Sequence, residues 1–508
     1  MKPSSRGLRR AAWLVVPAVA ALAFAGAGVA PTVASASTTR SHAVVVEGAS
    51  IGAASAAVRR AHGHVDSAIE VVNAVSAHVD DAGYRALTND SDVRVTPDVD
   101  LHATGKTFPI AANTFTTVDS QLTSLALGPK WSLDAGDGVG VALIDTGVNA
   151  TPDLRGSRLV KGPDFSGEGD GVDRYGHGTF MAGLIAGDGT ASSSGGTRHT
   201  GVAPGATVVS VKVAGANGST SLSKLLMGIG WVIAHEDDYD IGVVNLSFGA
   251  DVNLPYLFNP LSAAVEAAWA SGITVVTSSG NEGAGTVTSP GDDPWVVTVG
   301  ATDSTGTTST ANDKLASFSG RDRFFGYSKP DVVAPGVSDV SLRAVNSAVD
   351  VANPSARVGD SYFRGTGTSM STALVSGAAA VVLADHPQAT PDDVKGALID
   401  GGIDIKGSTA PAVSVSGADS ATPRSDWWQR FPIAFGGLGR GFMGMPWTAS
   451  RWTASRWTAS RWTASRWTAS RWTASRWTDA QWANADWSAS RWTASRWTDA
   501  SWNSMAWG

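Results

Sequence analysis

Beyond about residue 125, apolar segments of two lengths alternate along the chain. Short runs rich in Val and Ile are apolar at successive positions (GVGVALID, TVVSVKV, IGVVNLSF, ITVVTSS, WVVTVGA), and longer Ala- and Leu-rich runs separate several of them. A strand that is apolar on both sides is buried on both sides, which is typical of a parallel sheet between helices. The pattern predicts an α/β fold, a doubly wound parallel sheet with helices on both faces.

A different order of elements precedes this region. Strand-like AVVVE, HVDSAIEVV, AVSAHV and DVRVTPDV occur with helix-like SIGAASAAVRRAH and DAGYRALTND in the order β-α-β-β-α-β. This order predicts a small α+β domain of the ferredoxin-like type, which needs only about 60 residues. We assign it residues 37–115, of which 102–115 is polar and turn-rich like a linker. The main domain then occupies residues 116–405.

The stretch RGTGTSMSTALVSGAAAVVLADH, residues 364–386, contains the first candidate for chemistry. Its second part is apolar, long and Ala-rich, so it predicts a buried helix and not a strand. Ser369 stands before that run, where Ser is a favoured N-cap. The preceding GTGTS is a poor cap sequence, but it suits a hydroxyl held at the positive helix terminus among backbone N–H groups. Ser369 is therefore either a cap or a nucleophile.

An acid and an imidazole occupy comparable positions. Asp145 ends the predicted strand GVALID where the chain turns, so it either bonds its own turn amides or faces a site beyond the strand. His177 stands between two glycines in YGHGTFMAGLIAG, just before an apolar helix. Such glycines allow other backbone to approach closely, and a purely structural role for His177 is the alternative.

Together the three residues indicate one kind of reaction. A serine hydroxyl is a weak nucleophile until a neighbouring base takes its proton. An imidazole that acts as this base needs a carboxylate to hold its tautomer. Asp145, His177 and Ser369 supply the three groups, and the combination is more specific than any one of them.

Six segments then carry a family resemblance: VALIDTGVN, GHGTFMAGLIAG, VVNLSFG, VVTSSGNEG, VVAPG and GTSMSTALVSG, in that order. They resemble the motif set of the subtilisin-like serine proteases over about residues 125–400, and Asp-His-Ser is the order in subtilisin. The resemblance implies that Asp145 orients the imidazole, His177 acts as base and then acid, and Ser369 is the nucleophile. It also implies an oxyanion hole formed by the Asn281 side chain and the Ser369 backbone N–H.

The resemblance implies a substrate groove as well. Two segments match the family's groove walls, between which an extended peptide would pair with strand edges; they are Ser247, Phe248, Gly249 and Ser278, Ser279, Gly280. Ordinary strand ends are the alternative. Three positions beside the triad depart from the family pattern: Ala373 and Leu374 replace the usual Pro and His, and Phe180 replaces a common His. These differences bear on the geometry of the helix start and not on the reaction class.

The βαββαβ pattern is similar to that of the family's inhibitory propeptide. Parallel sheets form slowly because their contacts are distant in sequence, so a folding template makes physical sense for the main domain. We therefore expect the amino-terminal domain to act as an intramolecular inhibitor and folding template. We expect self-cleavage in or near residues 100–125.

The beginning of the chain indicates export. The first 36 residues have a basic start, an apolar stretch over 11–30 and the small-x-small sequence Ala34-Ser35-Ala36, which is typical of a cleavable signal peptide. A non-cleaved membrane anchor is the alternative. The chain contains no Cys, which excludes disulfides, a thiol nucleophile and thiolate metal sites. We expect a secreted, extracellular protein.

The net charge of −7 conceals an asymmetry. Residues 441–508 hold eight Arg and three Asp, a net +5, which leaves −12 for the rest and argues against nucleic-acid binding by the main domain.

A Trp recurs every five positions over 447–507, mostly as RWTAS. A period of five gives no single apolar stripe on a helix or strand, whereas four pentapeptides would close one coil of a β-solenoid.

The Trp-repeat tail, residues 447–508, suits contact with the cell envelope, because indoles stack on sugars or sit at a lipid interface while Arg binds anionic groups. A solvated spacer or a display stalk is the alternative. The Gly- and Pro-containing stretch 406–446 is predicted to be a linker to it.

These observations predict a secreted serine endopeptidase, made as a zymogen, that cleaves polypeptides through an acyl-enzyme intermediate. The alternative is an envelope-binding or structural protein whose protease domain is inert. The expected catalysis requires no cofactor. Relatives of this fold often bind structural calcium, but no run of carboxylates has a recognisable ligand spacing, so a metal site cannot be assigned from the sequence.

Overall fold

The computed structural model describes residues 40–103, 122–192, 198–249, 254–304, 310–324, 326–422 and 427–434. The predicted signal peptide, most of the predicted linker 102–115 and the whole Trp-repeat tail lie outside the described residues.

The amino-terminal domain has the predicted order of elements: β1 (Ser41–Gly48), α1 (Ile51–Arg60), β2 (His64–Ile69), β3 (Ala74–Asp80), α2 (Asp81–Thr88) and β4 (Val93–Pro97). Ser50 begins the first helix by accepting a hydrogen bond from Ala53 N at 3.1 Å. Asp80 begins the second in the same way, 2.7 Å from Gly83 N. The strands form an antiparallel sheet in the order β2-β3-β1-β4, which confirms the ferredoxin-like prediction.

The two faces of this sheet have different neighbours. Val44 and Val46 of β1 belong to the small domain's own core, together with apolar residues of α1 and α2. Val45 lies between them on the opposite face and belongs to the core of the main domain, as do Ile69 and Val72. The small domain thus covers one sheet face with its own helices and packs the other on the main domain.

Sixteen further strands follow. They are β5 (Asp100–Ala103), β6 (Gly140–Asp145), β7 (Leu159–Asp164), β8 (Thr207–Lys212), β9 (Ser219–Ser221), β10 (Ile241–Leu246), β11 (Phe248–Gly249), β12 (Thr274–Ser278), β13 (Val297–Asp303), β14 (Lys314–Leu315), β15 (Asp322–Phe324), β16 (Tyr327–Lys329), β17 (Val332–Pro335), β18 (Asp339–Leu342), β19 (Arg357–Val358) and β20 (Tyr362–Gly365). Eight form the central sheet in the order β14-β13-β12-β10-β6-β8-β7, with β17 also beside β13. Every pair is parallel except β13 with β14.

The main domain's helices are α3 (His177–Ala186), α4 (Leu222–Ala234), α5 (Pro260–Ala270), α6 (Ala348–Ala352), α7 (Thr368–Asp385), α8 (Pro391–Asp400) and α9 (Val415–Ser420). Helices α3 and α7 pack on each other and on the sheet, and α4 and α5 form a second such pair. Among the described residues, α7 alone has the length and apolarity of a membrane span, yet 89% of it is buried, as in a core helix. The predicted doubly wound α/β fold is confirmed.

The central strands bring the candidate site residues to one edge of the sheet. Strands β12, β10 and β6 are neighbours. Strand β6 ends at Asp145, β10 ends one residue before Ser247, and β12 ends at Ser278. Because the strands are parallel, these carboxyl ends lie together, where sites of such sheets form.

The structure differs from the prediction beyond residue 405. Within the predicted linker, Ala412 forms bridges with both Ile403 and Val333, and Val413 is buried. Trp428, further along, is completely buried. Residues 406–422 and 427–434 are therefore packed on the main domain, because their few apolar side chains complete its core. The Gly and Pro content of the stretch suggested a linker, but composition does not reveal such burial.

Candidate active site

Asp145 lies at the carboxyl end of a strand whose six residues are all buried. Its Oδ1 accepts a hydrogen bond from Thr146 N at 2.7 Å, so the turn contact considered from the sequence does exist. Both carboxylate oxygens also contact His177, with Nδ1 2.8 Å from Oδ1 and 2.9 Å from Oδ2. The predicted acid and imidazole are therefore brought together from positions 32 residues apart.

His177 is the first residue of α3, and both neighbouring glycines have a structural reason. Gly176 is the N-cap with φ of +108°, a conformation that other residues adopt only with strain. A Cβ atom at Gly178 would lie 2.1 Å from the Gly147 carbonyl oxygen. Only glycine at this position lets the start of the helix lie against the turn that follows Asp145.

The electrostatics suit a base. Burial by itself would lower the pKa of His177, but the charge of Asp145 and its hydrogen bond to the ring outweigh burial, so the pKa lies above its ordinary value of 6.5. Within the described part of the chain, the buried Nε2 atom has no hydrogen-bond partner. The imidazole is thus oriented through one nitrogen while the other is available to a reacting proton.

Asp173, which the sequence analysis missed, supports both chain segments. Its carboxylate accepts hydrogen bonds from Thr146 Oγ1 at 2.8 Å, from Gly176 N at 2.6 Å, and from Thr179 N and Oγ1 at 2.8 and 2.6 Å. Burial raises the pKa of Asp173, and these hydrogen bonds oppose that shift. An Asp four residues before a candidate His was a visible signal, but its partners were not.

Ser369 is the second residue of α7 and is fully buried. The N-cap of this helix is Gly367, with φ of +152°, so Ser369 is not the capping residue. This removes the first of the two roles considered for the residue. Its backbone N–H belongs to the first helical turn, where amide groups lack partners within the helix and carry partial positive charge.

Asn281 is fixed next to Ser369. Its Oδ1 accepts hydrogen bonds from Thr368 N at 2.9 Å and from Thr368 Oγ1 at 3.1 Å. These contacts orient the amide, whose buried Nδ2 has no hydrogen-bond partner among the described residues. The predicted oxyanion donor therefore adjoins the start of the helix that carries the predicted nucleophile.

One predicted wall of the groove is paired with a peptide strand. Strand β5 of the amino-terminal segment runs antiparallel to β11, with Ala103 opposite Phe248 and His102 opposite Gly249. Ser247 precedes this pairing and is buried. Residues 102 and 103, predicted as the start of a linker, therefore belong to a strand, because the edge of β11 supplies backbone partners for them.

The opposite side of β5 is bound by β9, which was not predicted. Thr220 lies opposite Leu101, and Ser219 Oγ lies 2.9 Å from His102 Nδ1. The polar run GSTS, residues 218–221, precedes helix α4 and was assigned to no element from the sequence. A three-residue polar strand has no periodicity that sequence reading can detect.

The second predicted wall lies further along the same edge. Ser278 ends β12, and Ser279 continues its ladder by donating from N to Val299 O at 2.9 Å. Gly280 follows with Thr288 against it. In the described chain, the strand that ends in this wall pairs only with its central-sheet neighbours β10 and β13.

The three positions that depart from the family pattern fill the core. Ala373 and Leu374 are completely buried in α7. A Cβ atom at Gly365 would lie 3.0 Å from the Phe180 ring, so this ring packs against the strand that leads into α7. These residues are packing residues that shape the helix start.

A metal site is not evident. In the described ranges, no three His, Asp or Glu side chains are grouped as ligands for an ion. The structural calcium considered from the resemblance therefore has no residues assigned to it.

Comparison with known proteins places this geometry in context. Residues 136–413 match the Subtilase family, peptidase S8. The chain is 40% identical over 295 residues to serine protease AprX of Bacillus subtilis strain 168, covering 56% of this chain and 66% of AprX. It is 34% identical over 284 residues to an alkaline protease of Alkalihalobacillus alcalophilus, covering 53% and 63%. It is 33% identical over 344 residues to subtilisin E of Bacillus subtilis strain 168, covering 66% and 77%.

Among solved structures, fervidolysin from Fervidobacterium pennivorans, a keratinolytic enzyme related to subtilisin, superposes with a TM-score of 0.59. The match covers 76% of this chain and 62% of fervidolysin at 20% identity, which supports the fold alone. The chain spans 66% of AprX and 63% of the alkaline protease, just under two thirds of each.

Proposed function

The chain belongs to the subtilase family, and on this premise we propose that it is a serine endopeptidase acting through Asp145, His177 and Ser369. One observation carries the proposal. His177 and Asn281 are each held through one polar atom, while the buried Nε2 and Nδ2 atoms have no hydrogen-bond partner in the described chain. A reacting hydroxyl and a developing oxyanion require a base nitrogen and an amide donor of this kind.

In the proposed reaction, His177 Nε2 takes the hydroxyl proton as Ser369 Oγ attacks the carbonyl carbon of the scissile peptide bond. Asp145 stabilises the imidazolium, and Asn281 Nδ2 with the Ser369 N–H stabilises the oxyanion. His177 then protonates the leaving nitrogen as the C–N bond breaks, which leaves an acyl-enzyme. A water molecule gives its proton to His177, attacks the ester carbonyl and releases the acid as Ser369 regains its proton.

Strand β5 supports the proposed mode of substrate binding. Its central position between β9 and β11 supplies backbone partners on both sides of an extended peptide. We infer that a substrate takes the same place and that Ser247, Phe248 and Gly249 form one wall. Ser278, Ser279 and Gly280 would then bound the side chain before the scissile bond.

The same pairing supports an inhibitory role for the amino-terminal domain. A strand of this chain fills the groove, and Asp98 reinforces it by accepting hydrogen bonds from Ser223 N and Oγ at 2.8 and 2.7 Å. Ser223 lies in the first turn of α4, whose dipole favours a negative charge. We propose that self-cleavage in or near residues 100–125 converts this segment from a covalently attached inhibitor into a released one.

Probe labelling and processing test the proposal together. A fluorophosphonate probe should label the purified protein at Ser369 and abolish hydrolysis of a denatured protein substrate. The Ser369→Ala protein should be folded, unlabelled and inactive, and should keep its amino-terminal domain. Amino-terminal sequencing of the active protein should begin beyond Ala103. A folded wild-type protein that neither labels nor hydrolyses peptides would favour the inert-domain alternative.

We also propose export, with the Trp-repeat tail as a contact to the cell envelope. The signal-like residues 1–36 and the Arg and Trp content of the tail are the support. Deletion of residues 441–508 should release the protein from cells and leave peptide hydrolysis unchanged. Unchanged cell association of the deleted protein would exclude the tether.

A further inference from the structure

Residues 427–434, termed the docked segment, lie beyond the end of the family match at residue 413. Trp428 in this segment is 0% exposed and is among the largest completely buried side chains of the described chain. The proposed reaction uses none of these residues. Their contacts nevertheless converge on residues 288–296, termed the pocket loop, which lies behind one wall of the groove.

The first contact is made by Trp428. Its indole N–H donates to Asp392 Oδ1 at 2.7 Å, and Lys395 Nζ lies 4.7 Å from its ring centroid. The same ammonium donates to the carbonyl oxygens of Pro294 and Val296 at 2.7 and 2.9 Å. Trp428 therefore covers the buried Lys395 side chain, whose Nζ holds the end of the pocket loop.

The second contact is made by Phe431. Its ring meets Tyr327 edge-on with centroids 4.9 Å apart. The Tyr327 hydroxyl donates to the backbone carbonyl of Asp292 at 2.7 Å. The docked segment thus fixes the middle of the pocket loop through one intervening aromatic side chain.

The third contact is made by Ala434. Its N–H donates to Glu266 Oε2 at 2.6 Å. Burial and the neighbouring charge of Asp293, in the pocket loop, raise the pKa of Glu266. Both acids are buried. The two buried carboxyl groups lose their contact with water, and few hydrogen bonds compensate for that loss. The Ala434 N–H supplies one of these hydrogen bonds.

The pocket loop in turn supports the groove wall. Thr288 N donates to Ser279 O at 3.3 Å. A Cβ atom at Gly291 would lie 2.8 Å from Ser278 O, so the loop backbone lies directly against the wall. Asn281, the candidate oxyanion donor, follows this wall in the chain.

We propose that the docked segment is a positioning element for the substrate pocket, with Trp428 as its principal residue. By fixing the pocket loop at three points, it holds the Ser278–Gly280 wall at the distance that binds the substrate side chain before the scissile bond. The inference rests on the proposed peptidase function. It assigns a role in specificity to a segment outside the matched family domain.

The kinetic test uses the full chain with Trp428→Ala, and Trp447→Ala in the repeat tail as the matched control. Substrates are peptides that differ only in the residue before the scissile bond. KM should rise about tenfold for bulky residues and less than threefold for Ala, with kcat within a factor of two, because the displaced wall affects binding more than chemistry. Equal changes for all peptides, or an effect of Trp447→Ala of the same size, would contradict the proposal.

A conservative variant separates positioning from general stability. Trp428→Phe keeps a ring over Lys395 but loses the N–H donated to Asp392. For bulky residues, its log KM should therefore return at least half of the way from the Trp428→Ala value to the wild-type value. A KM as high as in Trp428→Ala would contradict the role of the ring. If Trp428→Ala fails to fold, Trp428→Phe and Phe431→Leu carry the same comparison.

A measurement without turnover distinguishes failure of this inference from failure of the proposed function. In the Ser369→Ala background, Trp428→Ala should increase amide hydrogen exchange in residues 274–296 more than in the small-domain strands. Unchanged exchange there would overturn the positioning role whatever the activity. Faster exchange there, together with a wild-type protein that hydrolyses nothing, would support the positioning role and refute only the peptidase assignment.

Discussion

At the scale of single residues, Asp173 connects the acid and the base without belonging to either. Thr146, which it binds, follows Asp145, and Gly176, which it also binds, precedes His177. One buried carboxylate thereby holds the two chain segments whose side chains form the pair. Such a group needs all its hydrogen bonds, because a buried carboxylate with lost donors is strongly destabilised.

Replacing Asp173 by Asn should lower kcat at least tenfold with a smaller change in KM. The Asn side chain keeps one acceptor oxygen, but its NH2 group faces the N–H and O–H donors of Thr179. The free energy of unfolding should therefore fall by about 1–3 kcal/mol. Steady-state kinetics and denaturant unfolding measure the two effects. Asp153→Asn, at another buried carboxylate, which accepts from Tyr362 and Ala191, should reduce stability but not kcat. Equal effects of both variants on kcat would refute the positioning role.

The pH profile also belongs to the residue scale. In the proposed reaction the neutral imidazole is the base, and the pKa of His177 lies above 6.5. Activity should therefore be present at high pH and be lost as pH falls through that raised value. Measurement of kcat/KM from pH 5 to 9 should place the acid limb above 6.5, whereas a limb below it would contradict the assignment.

Asp145→Asn should lower kcat by about 10⁴-fold.

At the scale of elements, the site depends on how closely α3 approaches the turn after β6. The two glycines beside His177 serve this contact in different ways, one by its positive φ and one by its lack of a side chain. Strand β5 is a second example. Its backbone hydrogen bonds require the main domain to hold β9 and β11 far enough apart for one strand to fit between them. Helix and strand positions, and not side chains alone, form the proposed groove.

Gly178→Ala tests the helix contact. The added methyl group would lie 2.1 Å from Gly147 O, so α3 must shift, and stability should fall by about 1–3 kcal/mol or more with a large loss of kcat. Gly230→Ala is the matched control, because it lies in α4 with its nearest neighbour atom 3.5 Å away. That change should be neutral or stabilising by up to about 1 kcal/mol. Denaturant unfolding in the Ser369→Ala background compares them, and equal stability of the two variants would refute the argument.

At the scale of the whole molecule, several acids in the main domain are buried so deeply that the cost of burial outweighs their hydrogen bonds and favourable charges. Burial raises the pKa of Asp292 to about 6, of Asp293 and Asp313 to about 7, and of Asp339 to about 8. Neither oxygen of Asp339 has a hydrogen-bond partner in the described chain. The folded protein therefore retains protons that the unfolded chain releases, so these groups reduce stability as pH rises from about 4 to about 8.

Asp339→Asn isolates one of these groups. The unfolding free energy of the variant relative to its Ser369→Ala parent should increase between pH 4 and 8, by at most about 1.4 kcal/mol per pH unit, and stay constant above pH 8. The difference in unfolding free energy that remains at low pH measures the effect of replacing the protonated carboxyl group by an amide. Denaturant midpoints across pH 4 to 9 measure the effect, with the exposed Asp134→Asn as control. A difference independent of pH would show that Asp339 does not titrate in this range.

Local sequence determined the elements and the reactive residue types. Val-rich strands between apolar helices, the βαββαβ order before them and the spaced Asp145, His177 and Ser369 are properties of short segments, so periodicity and motif order were enough to predict them. Asn281 was predicted only through the resemblance of the segment VVTSSGNEG to the family's motif. The fold class followed because a strand without a polar side needs helices on both faces.

Only the tertiary structure decided which distant groups meet. The role of Asp173, the strand β9, the insertion of β5 and the burial of Trp428 involve short or polar segments whose partners lie far away in the chain. No period or composition encodes such partners, because backbone pairing and burial depend on the surface that the rest of the molecule presents. The same limit explains why residues 406–446 were expected to be a linker, although apolar side chains of the described parts, 406–422 and 427–434, complete the core.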